Sequence, residues 1–336
     1  MKILVDCFGG DNCPEAAIKG AVLAINEDKD LICALVGKED EIKKVLETLS
    51  YNPSQIEIIP ASDVITNDDA PIMAIRRKRD SSMVVALNNL HEKDYQGLVS
   101  SGNTGALLTG ATLIVRLING VTRAALAPIL PTVIDGKYTI LCDSGANVDC
   151  KPSMLEEFAI MGNIYVKSAF NVENPKIALL NNGAEEEKGN ALTKEAHQLL
   201  KNSNLNFVGN VEPTDVVSGD VDVIVCDGFD GNVAIKATEG MAKNFMQLIK
   251  SAVKKGSLKS KIGALLLKST LKGVKSKMST DEVGGAVFLG VQKVVIKAHG
   301  SSKEVPFKAA ILQAKKMAQD DVCGLIENGM QDASSR

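Results

Sequence analysis

At 336 residues, 45% hydrophobic and 24% charged, the chain is long and apolar enough to bury a large core, which excludes a disordered or low-complexity protein. Aromatic residues make only 4%, with no Trp, so base stacking is poorly supplied and no nucleic-acid partner is expected. The net charge of −3 hides a split: residues 240–280 carry ten lysines and no acid, leaving −3 − 10 = −13 on the remainder, an acidic body with one basic arm.

In chain order, residues 2–6 read as a first buried strand, and because it follows Met1-Lys2 directly no signal peptide is expected. A loop, Cys7-Phe8-Gly9-Gly10-Asp11-Asn12, leads to a helix opened by Pro14 and reaching about Asn26. Residues 31–37 form a strand, 39–49 a helix and 56–60 a third strand. Pro71 opens one helix to about Leu90. Residues 97–100 are strand, Ser100-Ser101-Gly102-Asn103-Thr104-Gly105 a small polar loop, and 106–117 a nearly uncharged helix. Short strands at 126–131 and 138–142 flank an Asp135-Gly136 turn, which implies one antiparallel pair. Helix at 153–167, strand at 177–180, helix at 191–200 and strands at 207–208 and 222–226 follow. A helix from about Val233 to Lys254, a strand at 291–297 and one closing helix from Val305 to about Ile326 complete the reading. Apolar strands alternating with helices predict a three-layer α/β/α fold on a mostly parallel sheet, with residues 1–336 as a single α/β catalytic domain.

In sheets of this type ligands bind beyond the carboxyl ends of the strands. The loops there are rich in Gly, Asn and Asp: the first two above, then Asp143-Ser-Gly-Ala-Asn147-Val-Asp149, Asn181-Asn-Gly-Ala-Glu-Glu-Glu-Lys188-Gly-Asn190, Asp227-Gly-Phe-Asp-Gly-Asn232, and Ala298-His299-Gly-Ser301-Ser302. Singly, each is an ordinary turn or helix cap. Jointly they indicate a polar cleft along one sheet edge, because turns at the other edge lack Gly-Asn pairs. A strand feeding the Ser100–Gly105 loop into a helix start suits phosphate or another oxyanion. Neither the phosphate-binding G-x-x-x-x-G-K-[ST] nor a well-placed G-x-G-x-x-G occurs, and Gly-x-Ser-x-Gly is absent. Seven cysteines without Cys-x-x-Cys read as buried reduced thiols, and three distant histidines show no zinc spacing, so neither a metal nor a cofactor is expected. Such a cleft positions an external nucleophile and supplies none of its own.

Asp6-x-x-Gly-Gly-Asp11, Ser101-Gly-Asn-Thr-Gly-Ala106, Asp143-x-Gly-Ala-Asn-Val-Asp-Cys150, Lys188-Gly-Asn190, Asp227-Gly-Phe-x-Gly-Asn232 and Ile296-Lys-x-His-Gly-Ser-Ser302 occur together and in order. With these motifs the chain resembles the bacterial phosphate acyltransferases, over essentially its whole length. Phe8, Ser144 and Asn182 depart from the usual pattern. The resemblance implies a fold akin to phosphotransacetylases and isocitrate-type dehydrogenases and a homodimer. It also implies transfer of a long-chain acyl group from acyl-carrier protein to inorganic phosphate, with acyl phosphate handed to a membrane glycerol-3-phosphate acyltransferase downstream. That reaction needs anion binding, alignment and oxyanion stabilisation, of which alignment contributes ~7 kcal/mol and an oxyanion donor ~3 kcal/mol to lowering the barrier. Catalytic roles are expected for His299, Asn103, Asn232 and Lys297. Phosphate or substrate contacts are expected from Gly9, Gly10, Asp11, Ser100, Ser101, Gly102, Thr104, Gly105, Asn147, Lys188 and Ser301, with Asp143, Asp149 and Asp227 orienting Lys or Asn side chains. A phosphotransacetylase-like enzyme using short acyl-CoA is the alternative.

The arm at about 254–279 is lysine-rich and amphipathic. Leu258, Ile262, Leu265 and Leu266 make one helical stripe and Leu267, Leu271, Val274 and Met278 another, so two short helices meeting at an apolar tip are expected. Lys268, Lys272 and Lys275 lie between the stripes. Such a segment docks reversibly on an anionic bilayer surface, which places the protein in the cytoplasm against the inner face of the membrane. The same lysines suit acidic acyl-carrier protein equally in kind, and that alternative stays open.

Overall fold

The computed structural model describes residues 1–277 and 283–334, and side chains of 275–277 lie outside the description. Strands β1 (Lys2–Asp6), β2 (Ile32–Gly37), β3 (Ile56–Pro60), β4 (Gly97–Ser100), β5 (Ala125–Ala127), β11 (Ala286–Leu289) and β12 (Val294–Lys297) form one sheet in the order β3-β2-β1-β4-β12-β11-β5. Only β11 runs against its neighbours. A second sheet takes β6 (Ile129–Pro131), β7 (Tyr138–Cys142), β8 (Ile177–Leu180), β9 (Phe207–Val211) and β10 (Val223–Val225) in the order β6-β7-β10-β8-β9, with β6 the antiparallel edge.

Side-chain alternation along the strands builds layers on both faces. In β1, Ile3 and Val5 join the core cluster that holds α1 (Glu15–Glu27) and α11 (Glu304–Gln319). Leu4 points into the opposite cluster, with α4 (Ser82–Glu92) and α5 (Thr104–Gly110). Ile140, Ile177 and Val223 of the second sheet belong to the same cluster as Ile3, through α6 (Pro152–Phe170), so one apolar core runs under both sheets. The remaining helices are α2 (Glu39–Leu46), α3 (Pro71–Arg77), α7 (Ala191–Lys201), α8 (Gly228–Lys255), α9 (Leu258–Leu266), α10 (Lys268–Lys277) and α12 (Val322–Ser334).

The α/β/α layering and mostly parallel strands agree with expectation, as does the antiparallel β6–β7 pair. Five details differ. The expected strand at 126–131 is two strands in two different sheets: Pro128 has no N–H to continue a ladder, and the chain steps across there. The expected helix at 71–90 breaks at 78–81, because Ser81 caps a new helix, accepting the Val84 N–H at 3.4 Å. β11 was not anticipated. The closing helix divides at Asp320–Asp321, Asp321 taking a left-handed φ of 49°. Helix α8 begins at Gly228, five residues before its expected start, capped by Asp227 Oδ1 on the Asp230 N–H at 2.8 Å. Past its first turns α8 leaves the body: of its 28 residues only Gly228, Gly231 and Ala234 are buried. Helices α9 and α10 meet at Leu267, and Leu258, Ile262, Leu265, Leu266 and Leu267 are exposed. The Lys275 side chain and Met278 lie outside the described residues.

Candidate active site

Strand register sets the centre of the site. Asp6 of β1 pairs across to Ser100 of β4, and Ser100 pairs to Lys297 of β12, so three polar side chains stand in a row at the carboxyl edge of the larger sheet. Ser100 Oγ donates to Asp6 Oδ2 at 2.6 Å and accepts the Gly102 N–H at 3.1 Å. Burial pushes the Asp6 carboxyl up, while the Ser100 and Ser82 hydroxyls pull it back. Lys297 Nζ donates to the carbonyls of Ser101 at 3.1 Å and Ala298 at 2.6 Å. An ammonium has three protons, so one remains for a ligand. Burial brings this ammonium down to about 8, against the carboxylates of Asp6 and Asp11, which hold it up.

The three loops beyond these strands touch. Gly9 lies so close to Gly102 that a Cβ on it would sit 2.5 Å from Gly102 Cα and 2.6 Å from its N. A Cβ on Gly10 would overlap Ser101 Oγ. Asp11 donates its N–H to Gly300 O at 2.9 Å, and Asn12 Nδ2 donates to Ser301 O at 2.9 Å. Glycine is required at Gly9 because backbone meets backbone there. A Gly9→Ala variant is therefore expected to lose about 1–3 kcal/mol of stability and roughly 10²-fold in turnover through a displaced loop. Thermal unfolding beside a steady-state assay checks both, and unaltered turnover would separate this contact from the chemistry.

His299 is exposed and its Nδ1 accepts the Ser301 N–H at 3.2 Å, with Ser301 Oγ at 2.9 Å. That assignment leaves the ring proton on Nε2, free to donate outward.

These loops form one wall of a cavity of about 540 Å³, lined by Ser101, Gly102, Thr104, Lys297, His299 and Gly300. The second sheet supplies the facing wall, with Ser144 and Gly145 after β7 and Asn232, Ile235, Lys236 and Glu239 along α8. Leu126, Pro128, Ile129 and Leu130 add an apolar side. Anion-seeking groups and an aliphatic wall thus share one space.

Of the expected site residues, Ser101, Gly102, Thr104, Asn232, Lys297 and His299 line this cavity. Gly9, Gly10, Asp11, Ser100 and Ser301 do not line it but touch residues that do, Gly102, Ser101, Gly300, Gly102 and His299 respectively. Asn103 is engaged elsewhere: its Oδ1 caps α5 at the Ala106 N–H at 3.0 Å, and its Nδ2 donates to Thr66 O at 3.2 Å. Gly105 lets α5 approach Pro71, whose Cγ would be 2.8 Å from a Cβ. Asp143 is a buried hub. Its Oδ1 accepts the N–H groups of Leu126, Ser144, Gly145 and Ala146, and its Oδ2 those of Asn147 backbone and side chain. Asn147 Nδ2 also donates to Ala124 O at 2.8 Å. Asp227 caps α8, and Asp149 and Lys188 are exposed and are not among the cavity's lining residues.

The departures from the family pattern have local explanations. The Phe8 ring lies where a side chain on Gly37 would strike it, 5.8 Å beneath Lys38 Nζ. Ser144 Oγ donates to Leu126 O at 3.0 Å, tying the two sheets. Asn182 is exposed.

Sequence reasoning missed Asp6 as the partner of Ser100, and it missed Ile235, Lys236 and Glu239. The last three share a helical face with Asn232 at spacings of three, four and seven, which becomes visible once α8 is started at Gly228. The thiols are not activated. Burial pushes Cys7, Cys142 and Cys226 well above the ordinary range, raises Cys150 to about 12, and raises Cys13, which lies 3.5 Å from Ser101 Oγ. Among the described residues no cluster of ligating side chains could hold a metal ion.

Residues 1–325 match the family described as fatty acid synthesis protein. A "Phosphate acyltransferase" of Clostridium tetani is 49% identical over 315 residues, covering 93% of each chain. One of Clostridium acetobutylicum is 47% identical over 334 residues, covering 99% of each, and one of Dictyoglomus turgidum is 48% identical, covering 100% of this chain and 99% of its own. Among solved structures, a phosphotransacetylase from Streptococcus pyogenes superposes with a TM-score of 0.59 at 18% identity, covering 96% of this chain and 94% of that one. A branched-chain phosphotransacylase from Enterococcus faecalis gives 0.56 at 15% identity, covering 95% and 99%. At such identities these two speak for the fold alone.

Proposed function

Because the chain belongs to the fatty acid synthesis protein family, with relatives named phosphate acyltransferase, we propose that it forms acyl phosphate in the cavity between its sheets, from a long-chain acyl group on acyl-carrier protein and inorganic phosphate. The observation that carries this reading is the pairing of Lys297 and the glycine loops with the aliphatic wall of Leu126, Ile129 and Leu130 in one space. The two sheets then act as a single catalytic unit.

Phosphate sits against Lys297, Ser101 and Thr104. One of its oxygens attacks the thioester carbonyl, the new C–O bond forms, and the C–S bond breaks as the tetrahedral oxyanion collapses. Asn232 donates to that oxyanion, and the Lys297 charge lies beside it. The proton that the phosphate gives up goes to the leaving thiolate, and His299 Nε2–H hydrogen-bonds the departing sulfur within the cavity. Asp6 and Ser100 hold the Ser101–Gly102 turn, and Asn103, Asp143, Asn147 and Asp227 are positioning residues. No cysteine takes part, in keeping with the raised thiols. Hydroxamate trapping of acyl phosphate from palmitoyl-acyl-carrier protein and phosphate tests the reaction. Product from acetyl-CoA but not from the palmitoyl donor would move the assignment to a phosphotransacetylase-like enzyme.

The arm extends this proposal. Met241, Phe245 and Leu248 of α8, at 72%, 60% and 68% exposure, repeat at four and three residues and make an uncovered apolar stripe suited to a second copy of the chain as a homodimer. Beyond it, Leu258, Ile262, Leu265, Leu266, Leu267 and Leu271 with Lys268 and Lys272 rest on an anionic bilayer from the cytoplasmic side. Acyl phosphate is released there to a membrane glycerol-3-phosphate acyltransferase. Among the described residues no helix is long and apolar enough to cross a membrane. Each lysine near the surface contributes about 1 kcal/mol. Charge reversal at Lys268 and Lys272 is expected to lower binding to phosphatidylglycerol vesicles by at least tenfold in a flotation assay and to leave transfer from acyl-carrier protein unchanged. The reverse pattern assigns these lysines to the carrier protein.

A further inference from the structure

A second cavity, of about 500 Å³, lies between α6 and α11 on the far side of β6. Ile129, Tyr165, Phe170, Leu312 and Met317 give it an apolar lining. Its charged lining residues are paired within the protein. Lys308 pairs with Glu27 at 2.8 Å, and Lys316 with Asp320 at 2.8 Å. Ser168 Oγ donates to Asp320 at 3.0 Å, and Gln313 Nε2 donates to the Tyr165 hydroxyl oxygen at 2.8 Å. With its charges paired at the exposed edge and the rest of its lining mostly apolar, the space suits a hydrocarbon.

This cavity shares a wall with the reaction cavity. Ile129 lines both. The strap after the undescribed residues also separates them, Val283 facing the second cavity while Gly284, Gly285 and Ala286 line the first. Gln313 holds that strap: its Oε1 accepts the Gly285 N–H at 2.8 Å and its Nε2 reaches Gly285 O at 3.2 Å. The partition is therefore one aliphatic side chain and a backbone strap thick.

We infer that the α6–α11 cavity receives the distal part of the acyl chain, passed over Ile129 from the reaction cavity, and so sets the preference for long chains. This rests on the acyl phosphate reading above. The reaction cavity has to hold phosphate and thioester beside the first carbons of the chain, and its aliphatic wall of Leu126, Ile129 and Leu130 abuts the second cavity at Ile129, whose side chain turns aside to let the chain pass.

Two variants fill the cavity from opposite walls, Ala309→Phe on α11 and Ala169→Phe on α6. Both are assayed with octanoyl- and palmitoyl-acyl-carrier protein. Octanoyl transfer is expected to stay within about twofold of wild type, and palmitoyl kcat/KM to fall at least tenfold, as the loss of two or more buried methylenes requires. An unchanged palmitoyl-to-octanoyl ratio in a folded variant overturns the inference. So does a change in oligomeric state with that ratio unchanged, because the groove would then be a protein contact. Should neither variant fold, the wild-type protein is labelled with a carrier-bound chain bearing a terminal photoreactive group. Adducts on Leu312 or Met317 support the inference, and adducts only elsewhere overturn it. If wild-type protein makes acyl phosphate from neither donor, the reaction itself is wrong and this inference falls with it; if it uses both, only the pocket is being judged.

Discussion

Replacing Lys297 with methionine is expected to lower kcat/KM for phosphate by roughly 10²–10³-fold, the usual loss of about 3 kcal/mol for one preorganised donor at a developing oxyanion. Two of the three ammonium protons go to the Ser101 and Ala298 carbonyls, which aim the third into the cavity. The pH dependence gives a second, independent reading. Below about 8 the side chain is a cation; above it the amine is neutral and no longer attracts phosphate. KM for phosphate is therefore expected to climb above pH 8, on the order of tenfold per pH unit. Stability moves in the opposite direction. The folded pKa lies below the ordinary 10.5, so between about 8 and 10.5 the unfolded chain holds a proton that the folded chain has released, and unfolding free energy rises with pH there. Steady-state kinetics and denaturant titrations from pH 7 to 10 follow both trends. A flat phosphate KM across that range would remove Lys297 from phosphate binding.

Asp143→Ala is expected to have the largest effect on stability, a loss of about 3–5 kcal/mol and a fall in Tm of roughly 5–10 °C. The carboxylate gathers six N–H groups, from Leu126 at the end of β5 and from the whole turn after β7. Alanine leaves the buried Leu126 N–H and the part-buried N–H groups of Gly145, Ala146 and Asn147 without this acceptor, while the Ser144 N–H and Asn147 Nδ2 keep the carbonyls of Leu126 and Ala124, and the turn that carries Ser144 and Gly145 into the cavity loses its anchor. Asparagine does not rescue it, since an amide presents one NH₂ where two acceptor oxygens are needed. Circular dichroism melts measure the loss. A melt within about 2 °C of wild type would show that water replaces the carboxylate and that the hub is dispensable.

Much of the fold was legible because it is written in local signals. Runs such as Lys2–Asp6 and Tyr138–Cys142 are strands whatever surrounds them, and Pro14 and Pro71 mark helix starts through their fixed φ. The glycine-rich loops were legible as a group, because a strand edge that approaches a ligand must be built from small residues. What misled was the assumption of one continuous sheet. Pro128 looked like a residue inside a strand, when its missing N–H lets the chain leave one sheet and enter the other.

Residue roles were less legible than residue positions. Asn103 and Asn232 look alike in sequence, each an asparagine in a glycine-rich stretch. Asn103 stands at a helix cap with its amide spent on carbonyls of residues 66–69, whereas Asn232 stands on the exposed face of α8 and opens to the cavity.

By itself the sequence determined the alternation of strands and helices, the family, and the chemistry on offer at the strand ends, since periodicity, glycine placement and side-chain type are properties of neighbours along the chain. The tertiary structure alone decided which of those groups face one space. Register brings Asp6, Ser100 and Lys297 together from positions nearly 300 residues apart, and the packing of one sheet against the other sets an aliphatic wall opposite them. Those contacts join distant segments, and no local pattern encodes them.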